Sequence, residues 1–108
     1  MLNENRDNLS TSLIALAHPV RRGVLERLQR SPARVTELAA GFDISLAAVS
    51  RHVRVLEDAG LVARTIEGRD HVIAGRPEGW AEAAGWVHEQ SALWGRRLNV
   101  LKQILETD

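Results

Sequence analysis

The first half of the chain carries apolar residues at helical spacing and predicts four helices. The first covers Leu9–Ala17, and Pro19 is expected in the first turn of the second. The second ends at Ser31-Pro32, and its apolar positions are Val20, Val24, Leu25 and Leu28. Residues 1–8 are expected to form a flexible polar tail, and residues 9–108 a single domain.

A tight turn at residues 41–44 separates the third helix from the fourth. Thr36 is the expected N-cap of the short third helix, whose apolar residues are Val35, Leu38, Ala39 and Phe42. We expect the fourth helix near residues 46–59, with Ser45 as its cap and Gly60 in a left-handed conformation after it. Its inward positions are Val49, Val53 and Leu56.

Two short runs after Gly60 predict a β-hairpin. Leu61–Ile66 and His71–Ala74 read as strands, and Gly68 supplies a positive φ in the turn between them. Helix, turn, helix and hairpin in this order are typical of a winged helix-turn-helix, which places a helix in the major groove of DNA. The sequence therefore predicts a mainly α fold with a small β-hairpin, in the order α-α-α-α-β-β-α.

The last predicted helix, from about Glu78 to Glu106, has an apolar stripe in alternating steps of four and three residues. The stripe comprises Trp80, Ala84, Val87, Ser91, Trp94, Leu98, Leu101 and Leu105. Each of Gly79, Gly85 and Gly95 weakens a helix interior by about 1 kcal/mol relative to Ala, so this helix needs a partner. An apolar stripe left in water favours aggregation, and we expect it to be a dimer interface.

Charge and composition indicate where the protein acts and which kinds of site it lacks. The 108 residues carry no net charge, and the balance is two positive charges over residues 1–76 and two negative charges after them. The absence of Cys excludes disulfides, thiolate metal sites and thiol redox sensing. The N-terminus is too polar for a signal peptide, and no apolar run approaches the roughly 18 residues of a membrane span. We expect a cytoplasmic protein with no membrane contact.

The outward face of the fourth helix carries residue types that bind DNA. Small polar and basic residues are expected there, namely Ser45, Ala47, Ser50, Arg51 and Arg54. Arg51 or Arg54 can contact guanine O6 and N7 together, which is worth roughly 1–3 kcal/mol of discrimination. Ser50 can donate to a phosphate or a base, and His52 beside this face to a phosphate. A solvated helix without a ligand is the alternative.

The predicted hairpin has basic residues at or beside its tip, namely Arg64, Arg69 and His71. Such side chains can contact the DNA backbone and set orientation without reading sequence. Glu67 and Asp70 dilute this charge, and a purely structural hairpin is the alternative.

The most specific segment is AVSRHVRVLEDAGLV at residues 48–62, followed by EGR at 67–69. AHPVRR at 17–22, VTELA at 35–39 and WGRRLNVL at 94–101 accompany it. Together these segments, over about residues 9–106, resemble the ArsR-type winged-helix transcriptional repressors, in a branch without metal-binding cysteines.

The resemblance implies a homodimeric repressor that binds an inverted repeat in double-stranded DNA. Members of this family usually pair through their first and last helices. For this chain the implied interface residues are Leu9, Leu13, Leu16, Trp80, Ala84, Val87, Trp94, Leu98, Leu101 and Leu105.

Many relatives sense metals, but this sequence lacks a matching ligand set. The segment before the fourth helix, Glu37–Phe42, has no thiol, and His88 is the one histidine of the last helix. Zinc requires three or four suitably spaced ligands, so we predict no metal and no cofactor. An apolar pocket for an organic effector near Trp80, Trp86 and Trp94 is an alternative, and the effector is unknown.

Enzymatic function is not expected, because no P-loop, GxGxxG, GxSxG or HExxH pattern occurs. The alternatives are a winged helix used for protein interaction and a ligand-responsive switch of the same fold. Glu57 and Asp58 slightly favour the interaction module, and the basic residues of the same helix argue against it.

Overall fold

The computed structural model describes the backbone of residues 4–107 and the side chains of residues 8–107. This part of the chain forms five α-helices, three strands and a 3₁₀ helix, in the order α1 (Glu4–Leu16), α2 (Pro19–Leu28), β1 (Ala33–Arg34), α3 (Val35–Ala40), α4 (Leu46–Asp58), β2 (Val62–Glu67), β3 (Asp70–Gly75), 3₁₀ helix (Pro77–Trp80) and α5 (Ala81–Glu106). The predicted winged helix-turn-helix is confirmed, with one strand added. Helix α1 starts at Glu4, inside the predicted tail, whose residues 1–3 lie outside the described part.

Helices α2 and α4 each begin with a side-chain N-cap. Ser45 caps α4 as predicted, with its Oγ accepting a hydrogen bond from Ala48 N at 3.1 Å. Pro19 occupies the first turn of α2, as predicted. The N-cap of α2 is His18, whose Nδ1 accepts from Val20 N at 3.1 Å.

The prediction that Thr36 caps α3 is wrong. Arg34 holds the N-cap position, and its backbone N–H donates to a Glu37 carboxylate oxygen at 3.0 Å. The Arg34 Nε donates to the same oxygen at 2.9 Å. These hydrogen bonds, with the backbone one as the larger cause, lower the pKa of Glu37 below its ordinary value. Helix α3 therefore starts directly where β1 ends.

Strand β1 was not predicted, and it makes the sheet three-stranded and antiparallel in the order β1-β3-β2. It begins at Ala33 and pairs with Val72 and Ile73 of β3. The preceding Pro32 has no backbone N–H to continue the ladder. In the hairpin turn, Gly68 has a φ of 65°, as predicted.

The core lies between α2, α3, α4 and the sheet. Val49, Val53 and Leu56 of α4 are fully buried, as their spacing predicts. They pack with fully or almost fully buried residues from the other elements, including Val24, Leu38, Leu61 and Ile73. This packing fixes which side of α4 faces solvent.

The segment after β3 is packed tightly against the end of α4. Gly60 follows α4 with a φ of 76°, and its carbonyl oxygen accepts from Arg76 Nη1 at 3.2 Å. A Cβ on Gly79 would lie 1.8 Å from this same carbonyl oxygen. The last helix does not run unbroken from Glu78 as predicted, because Pro77–Trp80 form a 3₁₀ helix and α5 begins at Ala81.

Helix α5 extends beyond the rest of the domain. Its 26 residues span about 39 Å at 1.5 Å per residue, and of these only Ala83, in the first turn, is buried. Its exposed apolar residues share one side of the helix, namely Trp86, Val87, Leu93, Trp94, Leu98, Val100, Leu101, Ile104 and Leu105. Among residues 4–107, no helix is long and apolar enough to span a membrane.

The predicted interface residues fall into two groups in this structure. Leu16 and Trp80 pack partly buried against the domain core, while Leu98 is 62% exposed. In α1 the exposed large apolar residue is Ile14, which the interface prediction did not include. Leu9 and Leu13 are half-buried. The exposed apolar surface thus lies mainly on the second half of α5.

Candidate nucleic-acid interface

Helix α4 turns its predicted outward face to solvent. Ser45, Ala47, Arg51 and Arg54 are all exposed, opposite the buried side of the helix. Arg54 Nε lies 3.5 Å from Asp58 Oδ1, and both side chains are about 70% exposed, so this pair contributes at most about 1 kcal/mol. Arg51 makes no hydrogen bond or ion pair with the described residues. Both guanidinium groups are free, or easily freed, to bind a ligand.

One flank of α4 is joined to the hairpin by a partly buried ion pair. Arg64 Nη2 donates to Glu57 Oε1 at 3.1 Å, and Arg64 Nε lies 3.3 Å from both carboxylate oxygens. The side chains are 22% and 29% exposed. Arg64 Nη1 also lies 2.9 Å from His71 Nδ1, which must accept because guanidinium has no acceptor. Arg64 therefore anchors β2 to α4, rather than reaching freely from the hairpin as predicted.

The hairpin tip presents Arg69 to solvent. Arg69 is exposed and makes no hydrogen bond or ion pair with the described residues. The neighbouring Asp70 has an oxygen 3.8 Å from Arg34 Nη1, which partly offsets its negative charge. Arg69 is thus the one predicted hairpin cation whose guanidinium is unoccupied in the described structure.

A cleft of about 280 Å³ lies between the start of α4 and the hairpin. Ser50, Arg64, Arg69 and His71 line it, together with Thr36 of α3. Ser50 is half-buried in this cleft, so it faces the hairpin rather than the outward side where it was predicted. The structure therefore brings Ser50 of the helix together with the three predicted hairpin residues in this cleft.

The opposite flank of α4 contacts α2 through histidines. The rings of His18 and His52 lie 4.3 Å apart, and Arg21 Nη1 lies 3.2 Å from His52 Nδ1. Since Arg21 can only donate, neutral His52 carries its proton on Nε2. Burial lowers the pKa of His52, and the charges of His18, Arg21 and Arg51 lower it further. The lowered pKa favours the neutral form of His52, whose Nε2–H can then donate a hydrogen bond beside the outward face.

Sequence reasoning missed the residues that hold this surface in place. Arg21 donates to the carbonyl oxygens of Ala15 (2.6 Å) and Ile14 (3.0 Å) as well as contacting His52, and so joins α1, α2 and α4. Glu57, weighed as a sign of protein interaction, faces Arg64 instead. No local spacing signals either contact, because both depend on how separate elements pack.

Within the described residues, no three His, Asp or Glu side chains come together in a way that could hold a metal ion. His18 is a helix cap, as its position before Pro19 suggests, and His88 is exposed on α5. The absence of a metal site stays a prediction.

Comparisons with known proteins agree with this geometry. A model of the helix-turn-helix domain matches residues 16–65. The chain is 34% identical over 94 residues to the HTH-type transcriptional regulator Rv2034 of Mycobacterium tuberculosis, spanning 87% of this chain and 85% of that protein. The crystal structure of the ArsR family transcriptional regulator RHA00566 is 40% identical, has a TM-score of 0.75, and covers 82% of this chain and 97% of its own. The chain belongs to the ArsR family of winged helix-turn-helix transcriptional regulators.

This ArsR-family regulator also shares its fold with a more distant protein. The homodimeric winged helix-turn-helix DNA-binding domain Mb0332 of Mycobacterium bovis is 21% identical, with a TM-score of 0.66, and covers 85% of this chain and 91% of its own. Family membership confirms the resemblance found in the sequence. The ArsR-family regulator is a DNA-binding protein that regulates transcription, and this class of protein is not enzymatic.

Proposed function

We propose that this ArsR-family regulator is a cytoplasmic homodimeric repressor that places α4 in the major groove of an inverted-repeat operator. The observation that carries the proposal is the free outward face of α4, on which Arg51 and Arg54 reach solvent beside an unoccupied hairpin cation. A repressor of this kind acts by covering promoter DNA that polymerase needs.

The proposed contacts divide between base reading and backbone binding. Arg51 and Arg54 read base edges, preferentially guanine, while the small Ser45 and Ala47 allow close approach of the helix. Ser50 donates to a phosphate or base from the cleft, and His52 Nε2–H donates to a phosphate. Arg69 binds the backbone, with His71 and Arg64 beside it.

The exposed apolar side of α5 supports the homodimer. Trp94 is 57% and Leu98 62% exposed, and this surface continues to the end of the helix. Arg97 lies over the Trp94 ring at 5.3 Å, which positions a cation at the margin of the surface. The related M. bovis domain is itself homodimeric. A symmetric pair would present two α4 helices about 34–36 Å apart, one turn of DNA.

Footprinting of genomic fragments with the purified full chain tests the proposal. We expect protection of two half-sites related by a two-fold axis and separated by about one turn of DNA. Transcription from the protected promoter should fall when the protein is added. Protection of one asymmetric half-site by a lone subunit would contradict the dimer, and raised transcription would contradict repression.

A further inference from the structure

We infer that this regulator has a small-molecule site in the cleft between the end of α2, β3 and the 3₁₀ helix, and that its ligand is an aromatic or similarly apolar carboxylate. The cleft has a volume of about 560 Å³, within the range of roughly 300–1,000 Å³ that ligand pockets occupy. Its walls are mostly apolar and include Leu25, Leu28, Pro32, Ala74, Pro77 and Trp80.

The charge of the lining selects an anion. Arg30 and Arg76 both line the cleft, and none of its described lining residues carries a carboxylate. Arg76 is already engaged, with Nη1 on the Gly60 carbonyl (3.2 Å) and Nε on Glu78 (3.1 Å). The Arg30 guanidinium makes no hydrogen bond or ion pair with the described residues. Arg30 is therefore the group that would hold the carboxylate, and a guanidinium suits this geometry because it can donate twice.

The neighbouring surface does not compete for the same ligand. Arg30 also borders a second cleft, but there Glu26 and Glu37 offset the positive charges of Arg27 and Arg30, so that cleft does not select an anion. The first cleft also has room at its strand wall, because a Cβ on Gly75 would meet no heavy atom within 4 Å. Strand β1 begins at Ala33, which pairs with Ile73, so the adjoining edge of β3 beyond Ile73 has no strand beside it.

The position of the cleft distinguishes it from the exposed apolar side of α5. None of its described lining residues belongs to α1 or α5, and Trp80, which the interface prediction included, packs partly buried against the domain core instead. Its walls include the hairpin strand β3 and the 3₁₀ helix that packs on Gly60 at the end of α4. A ligand that favours one arrangement of these elements would change DNA affinity, a step that rests on the proposed function.

A nuclear magnetic resonance titration of the ¹⁵N-labelled full chain tests the site, with 2-naphthoate and the uncharged 2-naphthalenemethanol as matched probes. We expect 2-naphthoate to shift the amide signals of Ser31 and Gly75 and the Trp80 indole signal in a saturable way. The alcohol should bind about tenfold more weakly, because it lacks the charge-assisted bond to Arg30. Shifts confined to α5, or equal affinity for both probes, would overturn the proposal.

The variant Arg30→Gln separates the charge effect from general apolar binding. It should weaken 2-naphthoate about tenfold and leave the alcohol unchanged, whereas Arg96→Gln on the exposed side of α5 should change neither. Unchanged 2-naphthoate affinity in Arg30→Gln would contradict the site.

The coupling between ligand binding and DNA binding is tested separately, by comparing 2-naphthoate affinity for the free and the DNA-bound protein. A difference supports the effector role, and identical values would exclude it without affecting the DNA-binding proposal.

Discussion

Each arginine near α4 is distinguished by what its guanidinium already binds. Arg21 and Arg64 are engaged by carbonyl, imidazole or carboxylate partners, so they hold neighbouring elements together. Arg51 and Arg69 have no such partner in the described structure, and Arg54 has a weak exposed one. The sequence identifies the basic residues of this surface, but only the fold separates the anchoring cations from the available ones.

Replacing Arg51 or Arg54 by Ala should cost about 1–3 kcal/mol of operator affinity and relax base preference at the contacted positions. Fluorescence anisotropy with the operator and with single-base variants of it measures both effects. Arg96→Ala, an exposed arginine on α5, is the matched control and should bind as the parent does. Parental affinity and base preference in both α4 variants would remove them from base reading.

The Arg69→Ala variant should weaken binding to all DNA sequences to a similar extent, because a phosphate contact carries no base information. The slope of log affinity against log salt concentration should fall in magnitude by about one unit. Affinity measured at several salt concentrations gives this slope. A change in base preference with an unaltered slope would instead place Arg69 at a base edge.

The lowered pKa of His52 makes part of the folding stability depend on pH. His52 binds a proton more readily in the unfolded chain, where it is neither buried nor held beside His18 and Arg21. Its contribution is therefore fully present above its ordinary pKa of about 6.5 and is lost as pH falls through that value towards the folded-state pKa. His52→Asn keeps an acceptor for Arg21 but cannot titrate in this range.

Urea unfolding of parent and His52→Asn between about pH 8 and pH 5 should show a smaller loss of unfolding free energy on acidification in the variant. His88→Asn, on the exposed side of α5, is the control. Parallel pH profiles for the parent and His52→Asn would show that the histidine pair does not contribute.

At the scale of elements, the sequence pattern predicted the helices and turns correctly where a single helical or turn signal determines the local structure. The inward residues of α4, its Ser45 cap and the hairpin turn at Gly68 all match their predictions. Strand β1 was missed because it has two residues and leads directly into α3, too short for any period. The prediction that Thr36 caps α3 was wrong because the missed strand ends at Arg34, and this residue is also the N-cap of α3.

Gly79 was predicted only to weaken the last helix, whereas the structure gives it a packing role. A Cβ there would lie 1.8 Å from the Gly60 carbonyl oxygen, so Gly79→Ala should destabilise the fold by about 1–3 kcal/mol. Gly85 in α5 has open space instead, and Gly85→Ala should stabilise by about 0.4–1 kcal/mol. Urea unfolding of both variants checks this difference in sign, and two stabilising substitutions would contradict the close approach.

For the whole molecule, the described chain has a surface that its own core does not cover. The domain core ends near the start of α5, where Ala83 is buried, and the apolar side of the helix then continues exposed to Leu105. The sequence predicted the stripe because it follows helical spacing, but it did not separate Trp80, which packs on the domain, from the exposed residues beyond. In the proposed homodimer, a second copy would bury those exposed residues.

Leu98→Glu should therefore separate the proposed dimer into subunits. Leu98 is 62% exposed within one chain, so a carboxylate there leaves the subunit folded, but in a dimer it would be buried without a partner at a cost of at least about 3 kcal/mol. Gln103→Glu adds the same charge on the polar side of α5 and is the matched control. Sedimentation should give the mass of one subunit for Leu98→Glu and of two for the control, with operator affinity falling in step. A Leu98→Glu protein that keeps the dimer mass would show that the copies pair through another surface.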